Sequence, residues 1–285
     1  MPLNMYEKIE PVSKINHIIG IAAGKGGVGK STITVNLALS LKKMGYSVAV
    51  LDTDIYGPSV RMMLPEERMP VQKGETIIPA LCKGIPMISM AYFKPDNQAS
   101  VVRAPIANGI IKQFLKNVQW GELDYLLIDF PPGTGDIQLT LSQEANLTGV
   151  VMVTTPQNVA MMDVRKAMNM FEQVRIPVVG IVENMSYFLQ AETEEKVYIF
   201  GKGGGELLSR ESGVPFLGSV PLHPKICECG DLGKSIFEEE QLPLIKSFNE
   251  ISNQMILHVN VLKDQSKEPL QGFNLKWKEM SNNES

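Results

Sequence analysis

Gly24-Lys25-Gly26-Gly27-Val28-Gly29-Lys30-Ser31-Thr32 is the stretch from which the rest of the chain reads outward. It fits the phosphate-binding pattern G-x-x-x-x-G-K-[ST] at every fixed position. The apolar run Ile18-Ile19-Gly20-Ile21-Ala22-Ala23 before it reads as a buried strand. Ile33, Leu37, Leu41 and Met44 after it form a helical stripe, stopped by Gly45. Strand, glycine-rich turn and helix are the context this motif needs. The glycines let the backbone curl with its N–H groups inward, and the helix N-terminus adds the positive end of its dipole. Lys30 is expected to reach the β and γ phosphates, and the Ser31 hydroxyl to ligate Mg²⁺. Many lone glycine-rich turns bind nothing, but here four glycines, the GKST ending and both flanking elements agree. The stretch Gly24–Thr32 therefore predicts a nucleotide-binding protein.

Composition sets bounds around that motif. With 285 residues, 44% of them hydrophobic, the chain can bury a full core in one large domain. Its net charge of −4 gives no global basic field for nucleic acid. Cys82, Cys227 and Cys229 are too few for a disulfide framework and point to a reducing compartment. No signal-peptide core or bilayer-length apolar run is found, so a cytoplasmic protein without a membrane partner is expected. The expected organisation is an N-terminal extension over 1–14, a P-loop nucleotide-binding domain over 15–262 and a polar tail over 263–285.

Taken in order, strand and helix signals alternate. Ser47–Leu51 reads as a strand ending at Asp52-Thr53-Asp54, carboxylates at the ligand edge of a parallel sheet. Ile55–Ser59 reads as a turn, 64–84 as a hairpin excursion, and Ile85–Met90 as a strand with an irregular start at Pro86. A helix over Ala107–Asn117 precedes Tyr125-Leu126-Leu127-Ile128-Asp129, an apolar strand ending in a carboxylate. With a P-loop upstream, Asp129 is expected to hold Mg²⁺ through water rather than merely cap a turn. Pro131–Asp136 is then a loop suited to sensing a γ-phosphate. Strands at Val150–Thr154, Val178–Val182 and Pro215–Val220 alternate with helices at Val159–Val174 and Gly205–Ser212, and Leu242–Val259 closes the chain as a helix. Gly201–Gly205 lacks the GK[ST] ending and reads as a helix start. Phe273, Leu275 and Trp277 alternate like an added edge strand. The expected fold is α/β, a mostly parallel sheet with helices on both faces.

The nonapeptide with its early Lys25 resembles the deviant P-loop of the MinD/ParA/nitrogenase-iron-protein ATPases. In that group the extra lysine reaches across a dimer to the partner's nucleotide. The likeness narrows further along the chain. Asp54–Ser59, Trp120–Tyr125, Asp129–Asp136, Thr154–Gln157, Asp163–Lys166 and Val182–Phe188 all resemble the Mrp/ApbC family, as do Phe200-Gly201 and Gly230-Asp231. The resemblance covers roughly 15–260 and implies a homodimeric ATPase that carries iron–sulfur clusters to apo-proteins, working with cluster-assembly factors. It implies that Lys25 and Lys30 act on the phosphates, Asp54 orients the attacking water, Asp52 supports the metal shell, and Asn184 recognises the adenine edge. In-line phosphoryl transfer needs mainly positioning and charge neutralisation, which this set supplies.

Two departures stand out. Family members usually carry Cys-x-x-Cys shortly after Asn-Met-Ser-Tyr-Phe, where this chain has Leu189–Glu195 without cysteine. Longer members also carry a small N-terminal domain, for which the 23 residues before Gly24 leave no room. Cys227-Glu228-Cys229, read as part of a polar, glycine-ended loop, offers substitute ligands. Two thiolates per chain make the four that a dimer-bridging [4Fe–4S] cluster takes. If that loop faces outward, the two are free thiols; Cys82 is expected to be structural. The competing functions are a MinD/ParA-like positioning switch and a regulatory ATPase that binds no cluster. The first would want a basic patch or an amphipathic membrane helix, yet 242–259 carries Lys246 as its sole Lys or Arg.

Overall fold

The computed structural model describes residues 13–54, 57, 59–93, 104–190, 195–238 and 243–265. The first strand, β1 (Lys14–Ala23), leads through the P-loop into α1 (Lys30–Lys43) and then β2 (Val48–Asp52). A short helix α2 (Ser59–Met63) follows, so Ser59 opens a helix where a turn was expected. The excursion is a hairpin, β3 (Val71–Lys73) with β4 (Thr76–Ile78), before β5 (Ala80–Cys82) and β6 (Ile85–Ser89). Then come α3 (Ala104–Asn117), β7 (Glu122–Asp129), α4 (Asp136–Glu144), β8 (Gly149–Thr154), α5 (Asn158–Gln173) and β9 (Val178–Glu183). A two-residue ladder pairs β10 (Phe188–Leu189) with β11 (Lys196–Val197). The chain continues through α6 (Gly204–Ser212), β12 (Phe216–Ser219), α7 (Pro224–Asp231) and α8 (Pro243–Gln265).

One sheet organises this, in the order β12-β9-β8-β1-β7-β2-β6-β5. Its neighbours pair in parallel except β5, which runs antiparallel to β6. The apolar strands are buried on both faces, as a sheet covered by helices requires. Side chains alternate across it. Ile19, Ile21 and Ala23 of β1 join a core with Ile33 and Leu37 of α1 and Phe248 and Ile251 of α8. Ala22 faces the other way, into a core with Phe114 of α3, Leu141 of α4, Phe171 of α5 and Leu208 of α6. The β2–β7 register sets Asp52 directly beside Asp129 at the strands' C-terminal ends.

Two expectations need correcting. Residues 224–231, read as a loop, form α7: His223 is its N-cap, its Nδ1 accepting from the Lys225 amide, and Pro224 sits at the first turn. The loop read over Pro131–Asp136 gives way at Asp136 to α4. The expected edge strand at Phe273–Trp277 and residues 1–12 of the expected 1–14 extension lie outside the described residues, as do Ile55, Tyr56 and Pro58 of the expected turn, while Lys14 already opens β1. No described helix is long and apolar enough to cross a membrane.

Candidate functional site

The P-loop curls where its glycines permit it. Gly27 and Gly29 have φ of 81° and 80°, the left-handed region that side chains disfavour. Gly24 is needed for a different reason. A Cβ there would lie 2.2 Å from the Asp163 carbonyl carbon of α5, so the loop is pressed against that helix's backbone. On the other side the Asn184 amide, just after β9, donates to the Val28 carbonyl at 2.8 Å. Asn184, expected at the adenine edge, thus also clasps the P-loop itself. Sequence offered no signal for that clasp, because the two residues stand 156 positions apart.

Asp129 is fully buried and its two oxygens are divided. Oδ2 lies 2.7 Å from Lys30 Nζ and accepts from Ser31 Oγ at 2.7 Å. Oδ1 lies 2.6 Å from the Thr34 hydroxyl, a residue the motif does not include. The Thr53 amide and hydroxyl both donate to the Asp129 carbonyl, at 3.1 and 2.6 Å, tying the end of β2 to the end of β7. Asp52 accepts from Ser89 Oγ at 2.8 Å and from the Asp54 amide at 3.1 Å. Burial first, and then the charge of Asp129, push the Asp52 carboxyl up to about 7. Asp54 accepts from the Gly57 amide at 3.1 Å and faces the cavity.

That cavity, of about 550 Å³, opens over the P-loop and is walled by Asp54, Asn184, Met185 and the α7 face carrying His223 and Cys227. Lys25, Lys30, Ser31 and Thr32 all line it. Lys25 is half-buried and makes no ion pair among the described residues. The nucleotide-site residues expected from sequence therefore converge, and of the two expected cluster cysteines only Cys227 reaches the cavity. Cys227 is exposed, with its thiol 3.7 Å from Asp231 Oδ2. Cys229 is buried in the core beneath α7. Two positions along a helix differ by about 200°, so the helix sends the two thiols apart where a loop could have brought them together. Cys82 is buried, and burial pushes its thiol up to about 12.

The donors present fit a magnesium nucleotide. Glycines in the left-handed region and the start of α1 make an anion cradle, and Lys30 supplies a fixed cation. Ser31 and Asp129 offer hard oxygens within 2.7 Å of each other, the chemistry Mg²⁺ takes when phosphates and water complete its shell. Among the described residues no group of three His, Cys, Asp or Glu side chains is arranged to hold a metal unaided.

Comparisons with known proteins agree with this geometry. The sequence profile described as ParA, NUBPL iron-transfer P-loop NTPase, matches residues 14–256. An iron–sulfur cluster carrier protein of Synechocystis is 48% identical over 233 residues, 80% of this chain and 66% of that protein, so the chain spans just under two thirds of that relative. A carrier protein of the same description from Methanocaldococcus jannaschii is 50% identical over 228 residues, 79% of each chain. Among solved structures, a nucleotide-binding protein from Archaeoglobus fulgidus in complex with ADP is 39% identical. It superposes with a TM-score of 0.71 over 82% of this chain and 92% of that one.

Proposed function

The chain belongs to the ParA family of NUBPL-type iron-transfer P-loop NTPases, and from this we propose that it is a Mg²⁺-dependent, slow ATPase that carries iron–sulfur clusters to apo-proteins as a homodimer. The observation that carries the ATPase part is the convergence of Lys30, Ser31 and Asp129 within 2.7 Å contacts under an open cavity. Bound Mg²⁺ would neutralise phosphate charge. Ser31 and Asp129 would hold it, with Asp52 supporting them from the neighbouring strand. Lys30 would leave Asp129 for the β and γ phosphates, and Asp54 would orient the attacking water from the cavity wall. Lys25 is proposed to reach the partner subunit's phosphates, and Asn184 to meet the adenine edge while it holds Val28. The same reading places the protein in the cytoplasm, where its thiols stay reduced.

The test is nucleotide binding and turnover by Lys30→Ala and Asp54→Ala, each checked for fold by circular dichroism. Lys30→Ala should lose ATP affinity, whereas Asp54→Ala should bind ATP and stall hydrolysis. Equal ATP affinity in Lys30→Ala and wild type would overturn the site assignment. The cargo is tested separately. Kinship with cluster carriers supports it, and Cys227 is the exposed thiol that a cluster could reach. Anaerobic reconstitution with iron and sulfide should yield a coloured protein. A colourless one would leave the reading as a regulatory ATPase. Iron content unchanged by Cys227→Ser/Cys229→Ser would remove those two residues as ligands.

A further inference from the structure

Thr34 lies fully buried on α1, one turn beyond Lys30. Its hydroxyl is 2.6 Å from Asp129 Oδ1 and 3.1 Å from the Lys30 carbonyl. A hydroxyl has one proton to give. The shorter, charged contact takes it, since hydrogen bonds to an ionised acceptor are the stronger ones. The Lys30 carbonyl loses little, because the helix already supplies the amide one turn on. Asp129 thus holds its two oxygens in different hands: Oδ1 with Thr34, and Oδ2 with Lys30 and Ser31. Only the second pair belongs to the phosphate-binding motif.

We propose that Thr34 is a positioning residue for the Mg²⁺ site, fixing the plane of the Asp129 carboxylate so that Oδ2 remains the oxygen offered to the ion. This rests on the magnesium-nucleotide reading above. When Lys30 turns to phosphate and Ser31 gives a lone pair to the metal, Asp129 loses its cation on Oδ2 and keeps at most the Ser31 proton there. A carboxylate held by that one contact could then rotate and offer either oxygen, or neither. Thr34 is buried and is not part of the cavity lining, so its contact survives that exchange. The Thr53 hydroxyl does the same for the backbone, bonding the Asp129 carbonyl at 2.6 Å. Main chain and side chain of Asp129 are therefore pinned by two different threonines.

The experiment is a Mg²⁺ titration of fluorescent-ADP affinity, with a parallel measurement in EDTA, on wild type, Thr34→Val and Thr34→Ser. Thr34→Val keeps the shape and removes the hydroxyl. Its Mg²⁺ midpoint should rise roughly ten- to a hundredfold, the usual effect of losing a partner behind a metal ligand. Its metal-free affinity should match wild type, and Thr34→Ser should follow wild type throughout. A Thr34→Val midpoint equal to wild type would overturn the proposal. So would an affinity loss of the same size with and without Mg²⁺, which would mean general damage to the P-loop. If Thr34→Val does not fold, Thr34→Ala goes through the same titration with the same two outcomes. Wild type indifferent to Mg²⁺ would bring down the magnesium-nucleotide reading and Thr34's role with it. A responsive wild type tracked by Thr34→Val would bring down Thr34's role alone.

Discussion

Gly24 and Gly26 stand two residues apart in one loop and should respond oppositely to the same substitution. In Gly24→Ala the new methyl meets backbone of α5 at 2.2–2.4 Å, which no rotamer change can relieve. In Gly26→Ala its nearest neighbour is Pro132 Cβ at 3.9 Å, ordinary contact. Urea unfolding should show Gly24→Ala destabilised by about 1–3 kcal/mol, the usual cost of overpacking, and Gly26→Ala near wild type. Equal midpoints would contradict the close approach of α5. His17 sets a pH dependence at the other end of β1. Burial lowers its pKa first and Lys263 second, with Asp124 opposing them, while the ring stacks on Tyr125. A lowered folded value means the unfolded chain holds more protons below about pH 6.5. Stability from His17 is therefore present above that value and lost as pH falls through the folded one. His17→Phe keeps a stacking ring without a titrating nitrogen, so its urea midpoint should change less than wild type's on acidification from neutral pH. Lys30, Ser31 and Asp129 were legible because each belongs to a local pattern whose chemistry fixes its residue type. The Thr34–Asp129 and Asn184–Val28 contacts were not, since they join residues 95 and 156 positions apart.

Elements were legible where burial imposes a period. The apolar strands ending at Asp52, Asp129 and Glu183 are buried on both faces and stand out as runs. The paired strands Phe188–Leu189 and Lys196–Val197 are too short to show a period. Helix α7 escaped because its buried face comes down to Cys229 within eight residues. His223-Pro224 was nevertheless a usable start signal, a capping side chain followed by proline. The start of α6 was read correctly, and it depends on Glu183. That buried carboxylate accepts from the Gly205 amide at 2.6 Å and from the Ser186 hydroxyl. It thus places an anion where helix amides point. Glu183→Ala should cost about 1.5–3 kcal/mol, the worth of hydrogen bonds to a charged group. Amide exchange in the first turn of α6 should rise with it. Unchanged protection there would mean the helix start is held by its glycines alone.

At the scale of the whole molecule, two of the exposed apolar side chains stand beside the P-loop. Val159 and Met162 of α5 are 65% and 56% exposed, next to Asp163, against which Gly24 packs. In the proposed two-fold dimer a second copy would cover them while Lys25 crosses to its nucleotide. Sedimentation of Asp54→Ala with ATP should therefore show a dimer that either Lys25→Ala or Met162→Glu weakens. A monomer at every concentration would remove the two-fold mechanism. The sheet architecture was legible from the alternation of elements, but the reversal of β5 was not, because three residues, Ala80–Cys82, carry no direction in their sequence.

The C-terminal end of α8 comes back beside the opposite end of β1, close enough for Lys263 to act on His17. From there to the P-loop β1 runs roughly 20 Å or more, well beyond a physiological screening length of about 8 Å. A surface anchor or a dye coupled to the last turn of α8 would be electrically silent to the phosphates. The molecule thus has a built-in place to be held while nucleotide exchange at its other face is watched.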